Sequence, residues 1–257
     1  MSELHIARRA PRRERGFTLV ELLIAVLIGL FLLGGLMTLV QDNRRTFASQ
    51  NMLSQLQDSE RLAMTMMTDV IQAGGYFPDP TTNTAITALP VAGAIAAGQP
   101  FFGTYSAAAP GDTITVRYAT TTGDTIINCA GGTNTSGNIA PLLYTNTFSV
   151  LNGQLWCNLN GTSYPLVGTL TAGVSTLVPN AIIVNNLSIL YGINSSGSGS
   201  NVDTYATAAG VTNWNNVISV KITLTFNNPL WTASSPPTLP RYITFQRIVS
   251  VMGQTGI

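Results

Sequence analysis

Gly16-Phe17-Thr18-Leu19-Val20-Glu21 opens an apolar run, Leu22 to Val40, and the reading of this stretch decides the fold. The run is 19 residues long without a charge or a proline. At a helical rise of about 1.5 Å per residue it covers roughly 29 Å, about one bilayer core. Secretory signal peptides have shorter apolar regions, about 7 to 15 residues, that end at a small-residue cleavage site. Here the helical pattern continues past the run. Glu21 is the one carboxylate placed against it, and a carboxylate in hydrocarbon costs about 2.5 to 3.5 kcal/mol on insertion scales, which marks a specific partner. Cleavage after Gly16 would give Phe17 a new α-ammonium close before Glu21. Two unit charges at about 4 Å attract by roughly 4 kcal/mol at an effective dielectric of 20, enough to offset that cost. Within one chain the pair forms through the first helical turn; between neighbouring chains it sets the axial stagger of packed helices.

Charge is distributed unevenly around this run. Five of the twelve basic residues, Arg8, Arg9, Arg12, Arg13 and Arg15, precede it, opposed by Glu3 and Glu14. The positive-inside rule holds such a leader in the cytoplasm and sends the C-terminal part across the membrane; Arg44 and Arg45 dilute the bias without reversing it. Beyond Gly74 the charged residues are Arg117, Lys221, Arg241 and Arg247 against Asp79, Asp112, Asp124 and Asp203. Four dispersed cations are too few for a phosphate clamp, so direct nucleic-acid binding is not expected. Low charge suits a part made for assembly, and equally a merely polar secreted fold.

The helical pattern runs on as a stripe of Ala48, Met52, Leu56, Ser59, Ala63, Met66 and Val70 at steps of three and four. Gly74-Gly75 supplies a C-cap signal, with Pro78 just beyond. Met64, Met66 and Met67 are read as core packing, because methionine fills irregular gaps and no histidine or cysteine is near them in sequence. Residues 79–112 lack a period and read as an extended connection with a short apolar piece near Ala92 to Ala97. From Asp112 the alternation is that of strands: Ile114, Val116 and Tyr118; Phe148 to Leu151 and Gln154 to Leu159 around the turn signal Asn152-Gly153; Leu187, Ile189 and Tyr191; Ile218 to Phe226; and Tyr242 to Met252. Ser195 to Ser200 reads as a flexible loop. An α+β fold follows, a long N-terminal helix packed on an antiparallel β-sheet.

Cys129 and Cys157 both lie in the exported part, where an oxidising compartment makes a disulfide the default; it would contribute roughly 3 to 4 kcal/mol, and two buried thiols are the alternative. Enzyme chemistry finds little support. The single histidine, His5, lies in the leader, so neither a Ser/His/Asp or Cys/His site nor a catalytic zinc site can be assembled. No phosphate-binding glycine motif occurs. Asp112, Asp124 and Asp203 could converge to bind calcium or do acid-base work, but isolated aspartates in turns read better as solvated caps. No cofactor and no metal are expected.

The basic leader, Gly16, Phe17, Thr18, Leu19, Glu21 and the long apolar helix together resemble the class III signal of type IV pilins and of the pseudopilins of type II secretion. The resemblance implies a pilin-like fold, cleavage between Gly16 and Phe17 by a prepilin peptidase, N-methylation of Phe17, and a Glu21 that pairs with the amine of an adjacent subunit. It implies a cleaved leader over 1–16, a helix over 17–75 (17–40 in the membrane or filament core, 41–75 amphipathic) and an extracytoplasmic β-rich domain over 76–257. A second resemblance, to PilW-type minor pilins, is carried by Gln72-Ala73-Gly74-Gly75-Tyr76, Asp112 to Tyr118, Asn128-Cys129, Leu155-Trp156-Cys157, Asn186 to Gly192, and Asn213-Trp214 followed by Val217 to Leu224. Gln72 departs from the basic residue common there, and the closing Gly253 to Ile257 departs from the Arg-Asn ending of that family. What this implies is a minor pilin that helps initiate pilus assembly at or near the filament tip, with pilus biogenesis, twitching motility and adhesion downstream. Implied partners are other minor pilins, the major pilin, the prepilin peptidase, the inner-membrane assembly platform, and membrane lipid before assembly. The implied location is the inner membrane, as a single-pass protein with a cytoplasmic N-terminus, and then the pilus surface. A J-type minor pseudopilin of type II secretion and a tip adhesin are the alternatives.

Overall fold

The computed structural model describes residues 16, 18–138, 140–168, 181–196 and 201–252. The leader before Gly16, Phe17, the last part of the Ser195 to Ser200 loop and the closing Gly253 to Ile257 lie outside the described residues. The chain divides into two compact units, 1–50 and 51–257, and helix α1 (Leu19–Gln72) contributes to both.

In the first unit α1 leaves its apolar run uncovered. Leu27 is 68% exposed and Phe31 82%, and no residue in its most apolar window is buried. Burying a large aliphatic or aromatic side chain contributes about 1.5 to 3 kcal/mol, so this surface calls for lipid or for other helices around it.

In the second unit Leu56, Ala63, Met64, Met67, Val70 and Ile71 of α1 enter the core. Leu56, Ala63 and Val70 belong to the expected stripe, whereas Ala48 is exposed and Met66 only half-buried. The 3.6-residue helical period places Met67 inward in its stead. Met64 and Met67 are packing residues. The helix ends where Gly74-Gly75 requires it. A Cβ on Gly74 would stand 2.4 Å from the Phe101 ring, and Gly75 has φ +82°. The Gly75 N–H then donates to the Arg117 carbonyl at 2.9 Å, and the Ala119 N–H to the Tyr76 carbonyl at 2.8 Å, so the helix terminus is tied to a strand.

The expected antiparallel strands are present, divided between two sheets where a single sheet was anticipated. The first is a five-stranded meander in sequence order: β1 (Phe101–Thr104), β2 (Thr113–Thr120), β3 (Leu142–Leu151), β4 (Gln154–Leu159) and β5 (Thr162–Val167). The second has the order β7-β6-β8-β9, from β6 (Val184–Ile193), β7 (Thr204–Ala206), β8 (Val217–Asn227) and β9 (Tyr242–Ser250). Asn152-Gly153 makes the β3–β4 turn with φ of 51° and 77°, and Asn160-Gly161 makes the β4–β5 turn in the same way at 49° and 94°. Inward residues of both sheets, among them Tyr118, Phe148, Leu187, Tyr191 and Phe226, share one core with α1. The connection over 79–112 contains more order than its composition suggests: a one-turn helix α2 (Ala85–Ala88) capped by Thr84, and strand β1.

Candidate functional site

The N-terminal segment is built around Thr18. Its Oγ1 accepts the Glu21 N–H at 3.3 Å and its carbonyl accepts the Leu22 N–H at 3.2 Å, which makes Thr18 the N-cap of α1 and Glu21 the third helical residue. Thr-x-x-Glu ahead of an apolar run is a helix-start signal that the reading of the sequence passed over. A carboxylate in the first turn also meets the positive end of the helix dipole. Glu21 therefore has a favourable place in its own helix, and among the described residues its carboxylate forms no ion pair. Gly16 is exposed; Phe17, with the cleavage and methylation assigned to it, lies outside the described residues.

Cys129 and Cys157 are disulfide-bonded, with Cα atoms 6.0 Å apart, and both are fully buried. The bond ties the loop after β2 to strand β4. Asn146 supports it from β3, accepting the Cys129 N–H on Oδ1 at 3.0 Å and donating from Nδ2 to the Val116 carbonyl at 3.4 Å.

The three aspartates do not converge. Among the described residues no group of three or more His, Cys, Asp or Glu could hold a metal. Asp124 Oδ2 accepts the Thr121 N–H at 2.8 Å, a turn cap. Asp203 Oδ2 accepts the Ser195 hydroxyl at 2.6 Å and its N–H at 2.8 Å, and these bonds hold the carboxyl below the ordinary carboxylate range. Asp112 corrects the expectation of a solvated cap, because it is buried. Its Oδ1 accepts the Ser106 N–H at 2.8 Å and its Oδ2 the Ile189 N–H at 2.7 Å. Beside it Gly111 bridges Leu187 in parallel, with Asp112 N–H to Leu187 carbonyl at 2.7 Å and Leu187 N–H to Pro110 carbonyl at 3.1 Å. A Cβ on Gly111 would meet the Leu187 carbonyl at 2.1 Å. This is the seam between the two sheets, and the carboxylate clamps it.

Arg117 is the second buried charge. It is fully enclosed, and desolvation lowers its pKa. Its guanidinium donates to the carbonyls of Pro90, Ala96 and Gln99, so one β2 side chain gathers the loop that carries α2. Strand alternation gave no sign of this, since Arg117 sits at an outward position of β2 that the loop then covers. A cleft of about 450 Å³ is lined by Asp69, Gln72, Ala73, Tyr76, Thr125, Ile126, Ile127 and Met252.

Two family models match parts of this chain. Residues 11–37 match the prokaryotic N-terminal methylation motif, and residues 132–251 match the family model of the type IV pilus-assembly protein W. Among solved structures, a type IV-like pilin from Thermus thermophilus is similar at 15% identity and a TM-score of 0.42, over 78% of this chain and 97% of that one. No curated protein matches the chain. The methylation motif, the exposed apolar helix and the antiparallel β-domain define a protein of the type IV pilin class. Within that class the similarity is to the PilW type, over residues 132–251. Pilins of this kind interact with other pilins in a pilus, and the motif and apolar helix mark membrane anchoring.

Proposed function

We propose that the chain is a minor pilin, a non-enzymatic structural subunit that helps initiate pilus assembly and sits at or near the filament tip. The observation that carries this reading is the apolar run Leu22–Val40, wholly uncovered and opened by a first-turn carboxylate. A helix with that surface is stable in lipid before assembly and among like helices afterwards. The prepilin peptidase cuts between Gly16 and Phe17 and removes leader 1–16; Phe17 is N-methylated, and its ammonium pairs with Glu21 of a neighbouring subunit to fix register. Residues 17–75 form the helical stalk and 76–257 the extracytoplasmic domain. Before assembly the chain spans the inner membrane with a cytoplasmic N-terminus and meets the assembly platform; afterwards it lies on the pilus with other minor pilins and the major pilin, serving twitching motility and adhesion. Intact mass and N-terminal fragment spectra of the chain recovered from the envelope test this. A product starting at N-methylated Phe17 is expected, and a chain retaining Met1 in assembled pili would overturn it.

A further inference from the structure

Among the described residues the two sheets have four edges, and three of them are blunted. β7 is 3 residues long and β1 is 4, while β5 carries Pro165 beside a register shift at Leu155/Trp156. Short strands, proline and bulges are the devices that stop edge-to-edge pairing. Among the described residues β9 has none of these three: it is 9 residues long, pairs with β8 without a register shift and is guarded only by the charge of Arg247. The direction of its free groups follows from the bonds at its two ends. The Asn228 N–H donates to the Arg241 carbonyl and the Val251 N–H to the Ile218 carbonyl, so alternate residues from Arg241 to Val251 turn their backbone groups toward β8. The residues between them, Tyr242, Thr244, Gln246, Ile248 and Ser250, therefore point N–H and C=O outward, and all five are exposed.

Charge selects what can lie there. After Gly74 the cations are Arg117, which is buried, and Lys221, Arg241 and Arg247, which all lie on or beside β8 and β9. No acidic residue follows Asp203, and none of the three forms an ion pair among the described residues. Arg241 stacks on Trp231 and Tyr242 at 5.0 and 5.3 Å, which keeps its charge at the head of the strand. A second copy laid against this edge would bring like charges together.

We propose that the open edge of β9 is a docking site for an extended, acidic segment of a different polypeptide, which adds a strand to the second sheet through the backbone groups of Tyr242 to Ser250 while carboxylates at its alternate positions meet Arg241 and Arg247, which share one face of the strand. Nothing in this depends on how the N-terminal segment is processed. The full chain in detergent micelles is titrated with a labelled peptide of alternating Glu and Val, about 9 residues long to match β9. Two control peptides carry Lys for Glu, or N-methyl groups on alternate amides. The Glu peptide binds and slows hydrogen exchange at Thr244, Gln246 and Ile248, and both controls bind at least about tenfold more weakly. Gln246→Pro removes an outward N–H and no bond to β8, and produces the same loss. Ile248→Glu, which leaves the backbone intact, also weakens the Glu peptide, and slow exchange of the β8 amides verifies the fold of both variants. Binding of neither peptide, equal binding of Glu and Lys peptides, indifference to N-methylation, or protection of these amides in the free chain would each overturn the proposal.

Discussion

Replacing Asp112 tests whether one carboxylate holds the two sheets together. In the parent each carboxylate oxygen accepts a backbone N–H, from Ser106 at 2.8 Å and from Ile189 at 2.7 Å, in a buried setting. A hydrogen bond to a charged group contributes about 1.5 to 3 kcal/mol. Asp112→Asn keeps one acceptor and turns an amide donor toward the other N–H, so one bond is lost and stability falls by about that amount. Asp112→Ala loses both and leaves two buried donors unpaired, a fall of roughly 3 to 6 kcal/mol, a large part of the 5 to 15 typical of a whole domain. At about 2 to 4 °C per kcal/mol for a domain of this size, the Asn variant melts roughly 3 to 12 °C lower. Urea and thermal unfolding of the full chain measure the loss, and amide exchange locates it, with Ile189 and Ser106 opening before the centres of β2 and β8. The Gly111–Leu187 bridge nearby depends on backbone groups alone and does not replace the lost bonds. Parent-like stability in both variants, within about 0.5 kcal/mol, would refute the clamp.

Arg117→Lys keeps the charge but loses the planar fork that reaches the carbonyls of Pro90, Ala96 and Gln99; stability falls by about 1.5 to 3 kcal/mol, with exchange rising first in the loop carrying α2. Reduction of Cys129–Cys157, or Cys157→Ala, lowers stability by about 2 to 4 kcal/mol because a loop with a sequence separation of 28 is freed in the unfolded chain; unfolding with and without reductant measures it. Asp203 has a folded pKa below its unfolded value, so its hold on Ser195 is fully present above the ordinary carboxylate pKa and is lost as pH falls through the lowered one. Exchange at the Ser195 amide against pH shows a midpoint below that of a free aspartate, and a midpoint at or above it contradicts the assignment.

The helix, its glycine terminus and the Asn152-Gly153 hairpin were legible because each rests on a local rule: a 3.6-residue period, a left-handed backbone and a turn that glycine and asparagine favour. β1, β7 and α2 were not, because elements of 3 or 4 residues are too short to establish a period. β5 was hidden by Pro165, a residue that an edge strand tolerates. Alternation reports which face of a strand is buried and is silent on which neighbour it pairs with, so the division into two sheets was out of reach. The same limit covers Asp112 and Arg117: both sit where sequence alone reads a solvated charge, and only the contact of β2 with β6 and with the α2 loop encloses them. Thr18 is the opposite case, a capping residue whose signal was present three positions before Glu21.

The proposal of a filament subunit depends most on Glu21, which combines a place in the first helical turn with a charge available to a neighbour's amine. The direct measurement is the amount of Glu21→Ala chain in sheared filaments relative to membranes, set beside Glu21→Asp and Thr18→Ala. Thr18→Ala weakens the same helix start without touching the charge. The account predicts that Glu21→Ala is processed and held in the membrane but nearly absent from filaments, while Glu21→Asp and Thr18→Ala are incorporated. Incorporation of Glu21→Ala at the parent level would contradict it.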